Sequence, residues 1–307
     1  MGVDEEHREL VRTSVRQALL RSPDDLAAAL DRFGWSDLLA DDEALAFTTL
    51  FEEQGSLALD TAALDLAALV TVSAGTEGSV IWPLVVNGSE VGTDGRVDVE
   101  GIALRGELAG RVFVPAGDAL HEVAPSRLDA VPVGGMARDL PWRRVHVQGR
   151  SVAAHGSWPE VQRRTWLALA SELTGLSQRM LDVAVEQAST RRQFGRPIGA
   201  YQAVRHRLAE AYSDVVGSRA LVAAAWSDGR PRSASWAKAV AGLAHDAVAK
   251  HALQVCGAIG FDDEHELPGL VRRGYALDAL VGASRAEAAR MGTCLLEGQH
   301  LRSVSGF

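Results

Sequence analysis

Residues 190–202 read Thr190-Arg191-Arg192-Gln193-Phe194-Gly195-Arg196-Pro197-Ile198-Gly199-Ala200-Tyr201-Gln202. Arg191, Arg192 and Arg196 fall within six residues on a connection punctuated by glycine. A guanidinium grips a phosphate through two parallel N–H···O bonds, so this composition suits an anion. Phe194 offers a flat face to a ring, and Gln202 offers an amide that both donates and accepts. A second segment, Gln254-Val255-Cys256-Gly257-Ala258-Ile259-Gly260-Phe261, also falls at a predicted helix end. Its two glycines, three apart, let backbone amides come close to a ligand. Each segment has a plainer reading as well. Basic residues at a helix C-terminus offset its dipole, and Gly is the usual residue just past a helix.

Groups able to move a proton are fewer. Asp278, Glu264 and Glu266 lie near or beyond the second segment, and each reads as a solvated carboxylate by default. His206, His245 and His251 fall on predicted helices, where surface or core roles are the rule. Cys256 reads as a small packing residue beside the glycines and not as a nucleophile. The seven tryptophans share no single helical stripe and read as core and interface residues.

The elements that must position these residues change along the chain. Residues 1–75 read as an N-terminal α-helical domain: Val11, Val15, Ala18 and Leu19 recur at helical spacing, Ser22-Pro23 starts a second helix, and Asp41-Asp42-Glu43 opens a third that Gly55 ends. Residues 76–150 read as a small antiparallel β domain. The run 79–86 is β-like and ends at the Asn87-Gly88 turn, residues 96–101 alternate at period two, and 111–115 and the stretch near Arg144 complete the strands. Residues 151–307 read as a C-terminal helical bundle domain. A long helix carries Leu167, Ala170, Leu173, Leu176, Met180, Val183 and Ala184 on one face, and helices follow at about 201–227, 233–256 and 284–298. The fold class is therefore α+β, mostly α, with a helical domain, a small β domain and a four-helix bundle in that order.

Composition narrows the function classes. The 307 residues carry 40 Asp+Glu against 31 Lys+Arg, a net charge of −9 that argues against a general nucleic-acid binder. Lys238 and Lys250 are the two lysines, so nearly all positive charge is Arg. Two cysteines, Cys256 and Cys294, make neither a disulfide framework nor a zinc site. The N-terminus is charged from Asp4 onward and has no apolar signal segment, and no apolar run reaches the about 18 residues of a membrane span. A cytoplasmic protein is the expectation, with no metal and no membrane span.

In this order and setting the two glycine-bearing segments resemble the C-terminal signatures of the acyl-CoA dehydrogenase family. Arg191 to Gly195, followed by Pro197-Ile198 and Gln202, resembles the first, and Gln254 to Gly260 the second. Arg272 falls where the family places an Arg. The resemblance extends to Gly34-Trp35 and to residues 52–55, and is weak over 76–150. It implies FAD-dependent oxidation of an acyl-CoA thioester to the trans-2-enoyl-CoA, with electrons passing to an electron-transfer flavoprotein type of acceptor. A carboxylate removes the α-proton while the β-hydrogen leaves as hydride. In the family these C-terminal elements hold the ADP half of an FAD seated mainly in the neighbouring subunit. Carried over, the cofactor contacts are Arg191, Gln193, Phe194, Tyr201, Gln202, Gln254, Gly257 and Ala258, the last standing where a second Gly is usual.

The departures are as informative. The family's base position, 27 residues after Gln254, is Val281, and the alternative position on the first long bundle helix is Thr165, followed by Trp166 in place of Arg. Valine takes no proton, and a threonine hydroxyl is far too weak a base. The flavin-contacting loop of the β domain also has no match. The contacts kept are those made to a neighbour's cofactor. This pattern resembles the short acyl-CoA dehydrogenases of bacterial steroid catabolism, α2β2 heterotetramers in which one type of chain supplies the base. The substrate would be the CoA thioester of a steroid side chain or another bulky acyl group. Two alternatives remain: a homomeric enzyme with a displaced base such as Asp278, or a helical scaffold that binds no FAD.

Overall fold

The computed structural model describes residues 3–72, 77–84, 92, 94–108 and 110–297. Five helices come first: α1 (Val3–Arg21), α2 (Leu26–Asp31), α3 (Trp35–Asp41), α4 (Glu43–Ser56) and α5 (Ala63–Thr71). Asp42 caps α4, its carboxylate accepting the Leu45 N–H at 2.8 Å. Ser22 stands before the 3₁₀ turn Pro23–Asp25 but makes no capping bond through its side chain, because the tighter turn precedes α2. Gly55 lies within α4 rather than ending it. A Cβ there would sit 2.2 Å from the Glu172 carbonyl oxygen, so its lack of a side chain lets α4 cross the long bundle helix backbone to backbone.

The sheet contains β1 (Ser79–Val80), β2 (Arg96–Ala103), β3 (Val112–Ala116), β4 (Ala119–Pro132) and β5 (Arg143–His155), in the order β1-β3-β4-β5-β2. Its pairs are antiparallel except for the two-residue parallel contact of β1 with β3. β4 lies outside the strand expectations: beyond Val123 it is largely exposed, and Pro125 and Pro132 interrupt its pattern. The expected Asn87-Gly88 turn falls outside the described residues.

Helices return with α6 (Trp158–Thr190), α7 (Gln202–Asp228), α8 (Pro231–Cys256), α9 (Glu266–Ala279) and α10 (Ser284–Leu296), with a small hairpin of β6 (Arg192–Gln193) and β7 (Arg196–Pro197) between α6 and α7. α9 is an addition to the expected bundle. Pro268 and Gly269 look like a break, yet Pro is tolerated in a first turn, and Leu267, Leu270, Val271, Gly274 and Leu277 line the buried face that follows.

One large core joins the N-terminal helices, the bundle and the inner face of the sheet. A smaller one fills the other sheet face, around Val97, Val99, Val114, Val145 and Val147. A buried polar network crosses the large core. Arg273 on α9 donates to Glu172 on α6 at 2.5 Å and to Asp60 at 3.1 Å. Gln54 reaches Glu172 at 2.9 Å, and the Trp142 indole reaches Asp60 at 3.2 Å. Burial raises the Glu172 carboxyl above its ordinary value, and Arg273 works against that rise.

Candidate cofactor-contact surface and the closed family base position

The two glycine-bearing segments meet through Arg191. Its Nη1 donates to the Cys256 carbonyl at 3.3 Å, at the C-terminus of α8. That bond occupies one of five guanidinium N–H groups, and the side chain remains exposed. Gly257 next to it has φ +66°, and a Cβ there would meet nothing closer than Arg191 Nη1 at 3.8 Å. The positive φ explains the glycine, and its backbone is open to approach.

The β6–β7 hairpin presents the rest. Its turn is tight because Gly195 takes φ +81° and Phe194 φ +52°. Phe194 is 93% exposed and lies edge-on to Tyr201, ring centres 6.5 Å apart. Tyr201 is held by its hydroxyl donating to the Gln193 carbonyl at 3.2 Å, and the Arg196 guanidinium sits 4.2 Å from its ring centre. Arg192 turns back to the Gly195 carbonyl at 3.0 Å. Gln202 and Gln254 are exposed on the first turn of α7 and the last of α8, and Ala258 is exposed one residue past Gly257. Ile259 and Phe261 add two exposed apolar side chains. The arrangement offers outward guanidinium N–H groups and two exposed carboxamides around exposed aromatic rings, beside the uncrowded Gly257 backbone, whose N–H donates to the Leu253 carbonyl. It fits a diphosphate joined to a nucleoside, with room for a covering protein surface.

The family's base positions have the opposite character. Val281 is fully buried, with φ +53°, a conformation costly for a β-branched residue. Its N–H donates to the Pro83 carbonyl at 2.8 Å, and its carbonyl accepts the Trp166 indole N–H at 2.9 Å. Thr165 is buried, its hydroxyl spent on the Val161 carbonyl at 2.8 Å. Trp82 and Trp158, both buried, stand 6.5 Å apart nearby in sequence to Pro83 and α6. The Trp82 indole donates to Asp65 at 2.7 Å. Asp65 is fully buried, its Oδ2 has no hydrogen-bond partner among the described residues, and burial raises its carboxyl to about 7, with the Arg105 charge among the influences opposing the rise.

Of the other acidic candidates, Asp278 and Glu266 are engaged, and Glu264 is exposed on the turn before α9, its N–H donating to Asp262. Asp278 pairs with buried Lys238 at 3.3 Å and accepts the Ser284 N–H and hydroxyl at the start of α10. Lys238 also donates to the carbonyls of Asp278 and Gly282, clamping the turn that carries Val281. Burial lowers the Lys238 ammonium, with Asp278 opposing. Glu266 pairs with Arg179 at 2.7 Å, and Arg272 with Asp139 at 2.7 Å. His245 is buried beneath Gly274, where burial lowers it to about 4, so it packs as a neutral ring. Asp65 and the Trp166–Val281 bond were not among the sequence candidates. The one signal for Asp65 was a lone acid within the apolar run 62–70.

Residues 162–292 match the family model described as acyl-CoA dehydrogenase, C-terminal domain. The acyl-CoA dehydrogenase IpdE2 of Mycobacterium tuberculosis is 29% identical over 297 residues, covering 94% of this chain and 86% of that protein. Residues 162–292 thus match the C-terminal domain of the acyl-CoA dehydrogenase family, and the chain as a whole resembles members of that family. Among solved structures, the Tcur3481–Tcur3483 steroid ACAD shares the fold with a TM-score of 0.73 at 19% identity, over 96% of this chain and 99% of the other. The ChsE4–ChsE5 complex from Mycobacterium tuberculosis does so with a TM-score of 0.68 at 22% identity, over 94% and 97%. The chain thus has the mostly α, α+β acyl-CoA dehydrogenase architecture and shares its fold with these two complexes. Among the described residues no helix is long and apolar enough to cross a membrane.

Proposed function

We propose that this chain is one subunit of an FAD-dependent acyl-CoA dehydrogenase, that it completes the cofactor site of a partner subunit, and that it lacks a base of its own. The observation that carries the reading is the contrast between the open Arg191–Gln202 and Gln254–Phe261 surface and the sealed Val281 position. Bound FAD supplies the hydride acceptor for α,β-dehydrogenation of the thioester. In this chain Arg191 would neutralise the diphosphate, with the Gly257 backbone beside it. Gln193, Gln202, Gln254 and Ala258 would line the adenosine side, and Phe194 and Tyr201 would exclude water between subunits. The α-proton goes to a carboxylate of the partner.

The partner is a second acyl-CoA dehydrogenase-like chain in an α2β2 heterotetramer with a cytoplasmic location and an electron-transfer flavoprotein acceptor. The substrate is a bulky acyl-CoA of the steroid side-chain class, in line with the steroid ACAD whose fold this chain shares. The unit boundaries at 75/76 and 150/151 belong to the same reading. Asp278 does not favour the homomeric alternative, since it caps α10 and answers Lys238. An unliganded scaffold would have no need of an exposed Arg191 beside an open Gly257.

The test is purification of this chain alone and together with an acyl-CoA dehydrogenase-like chain that has Glu at the position matching Val281. The lone chain should carry little flavin and give no turnover, and the pair should be yellow and active. Stoichiometric flavin with turnover in the lone chain would sink the proposal.

A further inference from the structure

We infer that the pocket between the α4–α5 connection and the β2–β3 loop binds a small hydroxylated anion, with Arg105 taking the anionic end and Asp60 a hydroxyl. The pocket holds about 400 Å³ and is lined by Asp60, Thr61, Arg105 and Glu107, with Pro23 and Pro141 as apolar walls. That volume is of the size usual for small-molecule sites.

The polar groups are set from behind. Asp60 Oδ1 accepts both Arg273 at 3.1 Å and the Trp142 indole at 3.2 Å, which fixes the carboxylate. Its side chain is still 23% exposed, and among the described residues Oδ2 has no hydrogen bond. The Thr61 hydroxyl is turned away, donating to Gln54 and accepting the Ala63 N–H at 3.0 Å. The loop that carries Arg105 is fastened where Arg143 Nε donates to the Gly106 carbonyl at 2.6 Å. Arg105 itself makes no hydrogen bond or ion pair among the described residues, although it is half-buried.

The Arg105 charge acts on the buried Asp65 carboxyl, but its guanidinium makes no hydrogen bond among the described residues, so at a pocket wall its five fixed donors favour a carboxylate or phosphate. The donor opposite Asp60 should be uncharged. Arg273 already answers the Asp60 charge, so an ammonium would meet guanidinium repulsion at close range, whereas a hydroxyl would not. Glu107 stands exposed at the rim, where solvent screens it.

The Trp142 indole N–H is a built-in reporter, because it is hydrogen-bonded to Asp60. Its ¹⁵N–¹H signal in the full chain, assigned by its loss in Trp142→Phe, is followed during titration with glycerol 3-phosphate, inorganic phosphate and glycerol. Glycerol 3-phosphate should shift the signal saturably and bind at least about tenfold tighter than inorganic phosphate, the ratio expected from one added hydrogen bond to a charged group. Arg105→Met should weaken both phosphate ligands by about tenfold or more. Asp60→Asn, which keeps an acceptor, should preserve phosphate binding and reduce the preference for the hydroxylated ligand. No saturable shift, or an unchanged affinity in Arg105→Met, overturns the site. Equal affinity for glycerol 3-phosphate and inorganic phosphate overturns the hydroxyl assignment, as does saturable binding of glycerol alone at the same affinity.

Discussion

The two ends of α6 have opposite surroundings. The helix is 33 residues long, about 50 Å at its usual rise. At its N-terminal end Thr165 and Trp166 are buried, and each hydrogen-bonding group is spent on a neighbouring carbonyl. At its C-terminal end Arg191 to Arg196 are exposed, with charge and rings turned outward. Between them Glu172 ties α6 to Arg273 and Gln54 in a buried network. Under the proposed function, a fold that closes the place for a base while holding a polar, aromatic surface open is organised for chemistry outside itself. The difference also teaches how a family site is lost. Val281 is the sequence change, but the seal is made by the Trp166 indole and the Pro83 carbonyl, which bond to the Val281 backbone and would hold whatever side chain stood there.

The severest way to break this comparison is Val281→Glu. The side chain would enter an apolar, fully buried position, where its carboxyl would be raised. The variant should lose on the order of 3 kcal/mol or more of stability, read from denaturant unfolding. It should also gain no reducible flavin in the assembled complex, counted by anaerobic substrate titration. Doubling of that count would mean this chain seats its own cofactor and substrate.

Asp65 tests the seal by pH. Its carboxyl is raised from 3.8 to about 7, so the folded state holds a proton that the unfolded state has released between those values. Stability conferred by the protonated form is present at low pH and is lost as pH rises from about 4 through about 7. Asp65→Asn keeps an acceptor for the Trp82 indole and removes the titration. The advantage of the variant over the parent should grow by about 2–3 kcal/mol between pH 5 and pH 8, the part of the shift that falls in that range. Parallel melting curves for parent and variant across that range would refute a buried, titrating Asp65.

At the open end, Arg191→Ala should lower FAD retention in the complex about ten- to hundredfold, the loss of one desolvated charge-assisted contact worth about 1.5–3 kcal/mol. Assembly, measured by gel filtration, should persist. Unchanged flavin content in an intact complex would reduce Arg191 to a cap on the Cys256 carbonyl.

The open end was legible in the sequence because its chemistry is local: Arg, Phe, Gly and Gln within 13 residues specify the surface before any fold is known. The helix order was legible from apolar spacing. α9 was hidden by Pro268-Gly269, which mimic a break, and β4 by exposure that erased its alternation. The sealed end was half legible: Val281 and Thr165 stood out through the family resemblance, but nothing in the residue types signalled that Trp166 would reach Val281 across 115 residues. Gly55 was misread because a helix stop and a close helix crossing call for the same residue, and the Glu172 carbonyl that decides between them is far away in sequence.

The smallest expected effect sharpens the contrast most. Phe194 is 93% exposed, so its truncation removes little buried area, and the edge-on contact with Tyr201 is made in solvent. Phe194→Ala should therefore leave the lone chain within about 0.5 kcal/mol of the parent in thermal or denaturant unfolding. A large ring kept in the costly positive-φ conformation without stabilising its own chain has its use elsewhere. In the complex the same change should weaken flavin retention and subunit association together, because an aromatic side chain at the centre of an interface contributes area only when it is covered. If the lone chain loses more than about 1 kcal/mol, or if the complex is indifferent, Phe194 serves the hairpin and not a neighbour. The open end of α6 would then be an ordinary surface loop.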